Sequence, residues 1–179
     1  MTEPSPGAAL PVPCADAAPG DRPAEQERVV RLARAAGLTV AVAESLTAGL
    51  VSARLADVPG ASAVLRGAVV AYATDLKSSM LDVPTELLAE RGPVDPDVAV
   101  AMATGARTRL SADLGVATTG VAGPDPQDDV PPGLAFVAAT WPGGNRVRRV
   151  QVRGERAEVR AAAARAALEL LADLLTELQ

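Results

Sequence analysis

The fold of this 179-residue chain is decided by the stretch TVAVAESLTAGLVSARL, residues 39–55. An apolar run ends in Glu44-Ser45 and passes directly into apolar residues at helical spacing, which predicts a buried strand followed by a helix over residues 47–56. Side chains at the carboxyl end of such a strand project into a crevice, and the first N–H groups of the next helix are unpaired donors. We therefore predict a functional site around Ser45.

A purely structural interpretation of the same stretch is open. Ser45 or Thr47 can cap the following helix, because serine and threonine oxygens accept backbone N–H groups at helix starts. Within this stretch alone, nothing separates a cap from a nucleophile. The rest of the chain is needed to distinguish a capping residue from a nucleophile.

The composition excludes several classes of protein. The formal net charge is −5, whereas a protein that coats a nucleic acid needs a basic face, so we expect no direct binding to nucleic acid. No apolar run approaches the length of a membrane span, and the first residues lack the pattern of a signal peptide. We expect a cytoplasmic protein with no membrane association.

The residues that are missing restrict the chemistry further. The sequence has no histidine, and its one cysteine, Cys14, lies in a Pro/Ala-rich segment. Zinc sites and catalysis by Cys–His or Ser–His–Asp are therefore excluded, and we expect no metal and no cofactor. A nucleophile would have to be serine or threonine, with a carboxylate, tyrosine or lysine as its base.

Lys77 stands out among the basic residues. Sixteen of the 17 are arginine, and Lys77 is the one lysine. Arginine stays protonated, whereas a buried lysine can lose its proton, so this position is a candidate for a titratable amine. The alternative is a lysine on a solvated helix face. The only tyrosine, Tyr72, lies five residues away.

The chain divides into a tail and one domain. Residues 1–23 are rich in proline, alanine and glycine and are predicted to be disordered, and residues 24–179 form the domain. Besides the stretch at 39–56, the patterns predict helices over 24–36, 84–90, 95–110 and 155–178, a short helix from 74, and strands over 64–73, 114–119, 133–141 and 146–153. This order predicts a three-layer α/β/α sandwich with a mixed, mainly parallel sheet of about five strands.

Two further strand ends are predicted to meet Ser45. The second strand, 64–73, is apolar enough to be buried, and Tyr72 lies at its carboxyl end. If this strand lies beside the first in parallel, Tyr72 and Lys77 share the sheet edge of Ser45. The third strand opens into a glycine-containing loop, residues 120–124, where backbone can approach a ligand closely. The acidic residues 125–129 that follow are predicted to form an exposed loop.

Two arginines begin the last helix. Arg156 and Arg160 lie at its amino-terminal end, where cations oppose the helix macrodipole unless an anion joins them. The position is therefore a candidate for binding an anion. Pairing with Glu155 and Glu158 is the alternative, and the sequence does not separate the two.

Five segments together resemble the CinA carboxy-terminal domain family, whose active members are PncC-type nicotinamide-nucleotide amidases. The resemblance rests on residues 43–49 (AESLTAG), 69–72 (VVAY) with Lys77, 92–94 with 101–103, 119–124 (TGVAGP), and 154–156 with Arg160. It implies an α/β/α fold and hydrolysis of nicotinamide mononucleotide to nicotinate mononucleotide and ammonia without a metal. The residues that it implies for this reaction are Ser45, Tyr72, Lys77, Thr119 and Arg156.

The resemblance leads to two hypotheses of different classes. In the first, Ser45 is the nucleophile, Lys77 its base, Tyr72 a proton relay or a partner that keeps Lys77 neutral, and the start of the 47–56 helix holds the oxyanion. In the second, the chain is a non-catalytic binding or regulatory protein linked to competence or DNA damage. We expect a nucleotide substrate, a homo-oligomer, and substrate-binding residues Glu44, Thr47, Gly49, Thr119, Gly120, Gly123, Arg156 and Arg160.

The sequence departs from the family pattern at two places. Residues 46–49 read Leu-Thr-Ala-Gly where the family usually has Cys-Thr-Gly-Gly, and residues 125–132 are acidic where the family loop is rich in glycine. An alanine at residue 48 restricts the backbone φ and ψ angles that the turn can adopt. An acidic loop repels a phosphate if it faces the site. Both changes concern the affinity for substrate more than the nucleophile.

Overall fold

A computed structural model describes residues 24–179, so the tail predicted over 1–23 lies outside the described residues. Five strands form one sheet in the order β2-β1-β3-β4-β5. The strands are β1 Val40–Glu44, β2 Leu65–Val70, β3 Leu114–Gly120, β4 Leu134–Trp141 and β5 Gly144–Gln151. β1 pairs in parallel with β2 and β3, and β4 is antiparallel to both of its neighbours. Only β4 runs against the other four strands, so the mixed, mainly parallel sheet is confirmed.

Helices cover both faces of the sheet. The helices are α1 Glu25–Ala36, α2 Leu50–Ala56, α3 Thr74–Leu81, α4 Thr85–Arg91, α5 Pro96–Arg109 and α6 Arg156–Glu177. α1, α2 and α6 share one core of valine, leucine and alanine with the sheet, and α3 and α5 share a second core on the opposite face. The three-layer α/β/α architecture is confirmed. Small side chains such as alanine allow the helices to approach the sheet closely.

Two sequence predictions about elements are wrong. The strand predicted to be buried over 64–73 is β2, which lies at the edge of the sheet and has no fully buried residue. Helices cover an edge strand less completely than the central strands, so the residues of β2 alternate between exposed and partly buried. The helix predicted from residue 47 begins at Leu50, because Ala48 and Gly49 have positive φ angles of 49° and 96°, which no right-handed helix accommodates.

Candidate active site

Three strand ends meet at one edge of the sheet. β1, β2 and β3 are parallel, so Ser45 after β1, residue 71 after β2 and the loop after Gly120 of β3 lie at the same edge. α3 then returns from the end of β2 and brings Lys77 back to β1. The predicted neighbourhood of Ser45 and Lys77 is therefore produced by the strand order.

Ser45 and Lys77 are in direct contact. The Lys77 Nζ lies 2.9 Å from the Ser45 Oγ and donates to the Ala71 carbonyl oxygen at 3.2 Å. Lys77 is 1% exposed, and no carboxylate in the described part of the chain pairs with it. Burial disfavours the ammonium form and lowers the pKa of Lys77 from 10.5 to about 8. A neutral amine next to a serine hydroxyl is a base for that hydroxyl.

Ser45 opens onto a cavity of about 360 Å³. One wall is the loop after β3, Tyr72 contributes a side chain from the segment after β2, and Arg156 contributes one from α6. The volume lies within the range of small-molecule sites in proteins. The lining residues are Ser45, Leu46, Tyr72, Gly120, Val121, Ala122, Gly123, Pro124, Asp125, Pro126, Gln127 and Arg156.

Arg156 connects two sides of this cavity. Its Nη2 donates to the Tyr72 hydroxyl at 2.5 Å and its Nη1 donates to the Gly123 carbonyl oxygen at 2.7 Å. Tyr72 is 53% exposed, and its hydroxyl contacts Arg156 and not Lys77. The structure therefore gives Tyr72 a contact that the sequence did not predict, and the roles predicted for it as a proton relay or as a partner of Lys77 have no direct hydrogen bond to support them.

Arg160 has a different position from Arg156. Its Nε donates to the Leu46 carbonyl oxygen at 3.0 Å, and its Nη2 donates to the Thr47 carbonyl oxygen at 2.8 Å. Arg160 thus holds the turn after Ser45 from the α6 side and does not line the cavity. The alternative of ion pairs with Glu155 and Glu158 is wrong for both arginines, because these two carboxylates close a capping box at the start of α6.

Besides Arg160, four residues predicted to bind substrate do not line the cavity. Glu44, Thr47 and Thr119 are completely buried. The Thr47 hydroxyl pairs with that of Thr118 at 2.7 Å, and the Thr119 hydroxyl donates to the Pro93 carbonyl oxygen at 2.6 Å. Gly49 is the N-cap residue of α2. Of the eight predicted residues, Gly120, Gly123 and Arg156 do line the cavity.

The predicted oxyanion site at the start of α2 is wrong. The Glu44 carboxylate already accepts from the N–H groups of Gly49, Val51 and Ser52. The N–H groups of Ala48 and Leu50 donate to the carbonyl oxygens of Ser45 and Thr47, so residues 48–52 offer no free donor. The helix start is therefore closed by a carboxylate from the strand before it.

Comparison with known proteins identifies the family of this chain. The family model described as "CinA C-terminal domain" matches residues 23–175. The chain belongs to the CinA C-terminal domain family. It is 49% identical over 140 residues to a CinA-like protein of Frankia casuarinae, a match that covers 78% of this chain and 32% of that protein. It is 47% identical over 135 residues to a putative competence-damage inducible protein of Desulforamulus reducens, covering 75% and 33%.

Solved structures of the CinA superfamily have the same fold. A Klebsiella pneumoniae member is 30% identical, with a TM-score of 0.82 over 86% of this chain and 96% of its own. The competence/damage inducible protein CihA of Agrobacterium tumefaciens is 36% identical, with a TM-score of 0.78 over 86% and 97%. This chain spans about a third of the length of the curated CinA-like relatives that it matches.

Sequence reasoning missed part of the cavity of this CinA domain. Asp125 and Gln127 belong to the loop that was predicted to be exposed, and both line the cavity while remaining exposed to solvent. The signal that identifies them is their position directly after the Gly123-Pro124 turn at the same sheet edge as Ser45. Among residues 24–179, no group of three or more His, Cys, Asp or Glu could hold a metal, and no helix could span a membrane.

Proposed function

We propose that this CinA domain is an amidase that hydrolyses the carboxamide of nicotinamide mononucleotide to nicotinate mononucleotide and ammonia. The observation that carries the proposal is the buried contact of 2.9 Å between Lys77 Nζ and Ser45 Oγ at the edge of a cavity. A lysine that is 1% exposed without a carboxylate partner in the described chain is costly to fold in its charged form. A role as a neutral base explains why this chain has lysine there and arginine at every other basic position.

Acylation begins with the neutral amine of Lys77. The amine takes the hydroxyl proton of Ser45 while one of its N–H groups donates to the Ala71 carbonyl oxygen. The Ser45 oxygen attacks the carboxamide carbon, and the carbonyl π electrons move to oxygen. The tetrahedral intermediate collapses, the C–N bond breaks, and the Lys77 ammonium returns its proton to the leaving nitrogen, which departs as ammonia.

Deacylation repeats the same proton transfers with water. Lys77, neutral again, takes a proton from a water molecule whose oxygen attacks the acyl carbon. The bond to the Ser45 oxygen breaks, and Lys77 returns the proton to that oxygen. The product leaves as a carboxylic acid that ionises in solution, and the enzyme regains its starting state.

The choice of a nucleotide as substrate rests on Arg156 and on the family resemblance. Arg156 lines the cavity and belongs to none of the ion pairs among residues 24–179. Its present partners, a tyrosine hydroxyl and a carbonyl oxygen, are neutral acceptors that leave its charge uncompensated. A phosphate accepts charge-assisted hydrogen bonds from such a guanidinium.

Removing Arg156 is expected to affect the nucleotide more than its riboside. Arg156→Ala should raise the KM for nicotinamide mononucleotide by roughly tenfold to a hundredfold, the worth of one or two hydrogen bonds to a charged group. The KM for nicotinamide riboside should change by less than about threefold, because the riboside has no phosphate. Arg153→Ala, an exposed arginine that does not line the cavity, is the control. Equal losses on both substrates would separate Arg156 from the phosphate.

The pH dependence of turnover is expected to follow Lys77. The neutral amine is the active form, so kcat/KM should rise with a slope near one in a logarithmic plot up to the pKa of Lys77 at about 8 and then level off. At pH 7 that pKa leaves roughly a tenth of the lysine neutral, against about 0.03% for a lysine at 10.5. A profile that falls or stays flat between pH 6 and 8 would contradict a lysine base.

A non-catalytic role is the second candidate. Relatives such as that of Desulforamulus reducens are named competence-damage inducible, and Asp125 places a carboxylate at the cavity where a phosphate would bind. The two candidates differ in one measurement, the release of ammonia from nicotinamide mononucleotide by the purified protein. Turnover that depends on Ser45 supports the amidase. Saturable binding of the nucleotide without release of ammonia supports the binding protein.

A further inference from the structure

In the turn between β1 and α2, each backbone N–H group either has an identified acceptor or has none. Ser45 donates to the Thr118 carbonyl oxygen, Ala48 to that of Ser45, and Leu50 to that of Thr47. Gly49, Val51 and Ser52 donate to the Glu44 side chain. Across residues 45–52, the N–H groups of Leu46 and Thr47 alone have no acceptor in the described part of the chain.

The Glu44 carboxylate organises this turn. It is completely buried, and each of its oxygens accepts two hydrogen bonds. Oε2 accepts from the N–H groups of Gly49 at 2.8 Å and Val51 at 3.1 Å, and Oε1 accepts from the N–H and hydroxyl of Ser52 at 2.9 and 2.8 Å. Four donors satisfy a buried carboxylate and fix the chain on both sides of Gly49. Glu44 precedes Ser45 directly, so the same contacts fix the nucleophile.

The two remaining N–H groups lie in buried residues beside the nucleophile. Leu46 is 3% exposed and Thr47 is completely buried, yet buried N–H groups in folded proteins nearly always have an acceptor. Thr47 does not line the cavity, whereas Leu46 lines it together with Ser45, which it follows directly. An acceptor for the Leu46 N–H is therefore expected from a ligand.

We propose that Glu44 is a positioning residue that holds the N–H group of Leu46 as an oxyanion donor for the carbonyl oxygen of the substrate. The inference rests on the proposed amide hydrolysis at Ser45. Glu44 acts through the turn and contacts neither substrate nor Lys77. By fixing the turn, it keeps the Leu46 N–H next to the nucleophile as a donor for the developing negative charge. Preorganised donors of this kind stabilise the transition state more than the bound substrate.

The test is Glu44→Gln, which keeps the size of the side chain. A glutamine has one acceptor oxygen, so in either orientation at least one of the three N–H groups that now donate to Glu44 faces an NH₂ group. We expect kcat for nicotinamide mononucleotide to fall by about 10²-fold, with KM changed by less than about threefold, because displacing an oxyanion donor loses transition-state stabilisation. An unchanged kcat in a folded variant would overturn the proposal.

A second readout separates positioning from general destabilisation. The thioamide analogue of the substrate places a larger sulfur, a weaker acceptor, where the oxyanion forms, so the native enzyme should strongly prefer the oxygen substrate. Glu44→Gln should reduce this preference by about tenfold or more, because the Leu46 N–H is displaced from the oxyanion. The ratio of two rates on one sample does not depend on the fraction that is folded. An unchanged ratio would assign Glu44 a structural role only.

A third measurement is independent of the amide substrate. Phenylmethanesulfonyl fluoride should modify Ser45 of the native protein, detected by mass spectrometry, and Glu44→Gln should slow this reaction by about tenfold or more. Modified Ser45 without release of ammonia would defeat the proposed substrate but not the role of Glu44. Asp95→Asn is the matched control, because Asp95 caps α5 by accepting from the Asp97 N–H at 2.8 Å, outside the cavity. Asparagine still accepts from the Asp97 N–H, so this variant should keep both the melting temperature and the modification rate close to their native values.

Discussion

Ser45→Ala is expected to reduce the release of ammonia from nicotinamide mononucleotide by about 10⁴-fold or more, because loss of a nucleophile removes the covalent route altogether. The fold should remain, since the hydroxyl contributes one hydrogen bond, to Lys77, worth about 1 kcal/mol. The start of α2 is closed by the Glu44 carboxylate, so Ser45 is not needed to begin the helix. Single-turnover assays and circular dichroism measure the two effects separately.

Ser79→Ala is the matched control for this variant. Ser79 lies on α3 near Lys77, is exposed, and donates from its hydroxyl to the Asp75 carbonyl oxygen at 3.2 Å. The same chemical change there should leave turnover within about twofold of the native value. An acyl-enzyme on Ser45, trapped by rapid acid quench and found by mass spectrometry, would support the covalent route directly. Turnover retained in Ser45→Ala would remove Ser45 from the mechanism.

The pair Ser45 and Lys77 could be predicted from the sequence because it depends on the direction of strands. Parallel neighbours place their carboxyl ends at one edge, and the apolar runs before Ser45 and Tyr72 are separated by a helix, which is the pattern of a parallel crossover. A lone lysine among 16 arginines then identified the base candidate. Composition and order were sufficient for both conclusions.

The role of Glu44 could not be predicted, because it depends on the exact path of the turn. A carboxylate at a strand end can point into the crevice or back to its own chain. The positive φ angles of Ala48 and Gly49 bend the chain so that three N–H groups converge on Glu44. Only three-dimensional coordinates show that convergence. A pattern of apolar residues at helical spacing extends into the turn and conceals it.

The position of β2 at the edge of the sheet could not be predicted from the sequence either. Its residues are apolar enough for a central strand, and burial depends on which side of β1 the crossover places it and on whether another strand follows. This position matters for the site, because an edge strand leaves Tyr72 exposed and within reach of Arg156 from α6. The contact joins residues 84 positions apart, and no local pattern indicates it.

Lys77→Arg is expected to lower kcat by about 10²-fold or more, the usual contribution of a positioned base, with a much smaller change in KM. Arginine keeps the positive charge and a similar length, but it does not lose its proton in proteins. The buried site beside Ala71 also has little room for a guanidinium, so the variant requires a control for size. Lys77→Met fills the same space without a charge and should show a similar loss of kcat.

Rescue by external amines distinguishes a base from a structural lysine. In Lys77→Ala, small primary amines should restore part of the turnover, and the restored rate should increase with the basicity of the amine at a fixed concentration of its neutral form. The rise of kcat/KM with pH up to about 8 in the native enzyme should be lost from Lys77→Met, because the group that titrates is gone. Near-normal turnover in Lys77→Arg would exclude Lys77 as the base. The side chains that line the cavity and can accept a proton in its place are then Tyr72 and Asp125, which follow the two strands on either side of β1.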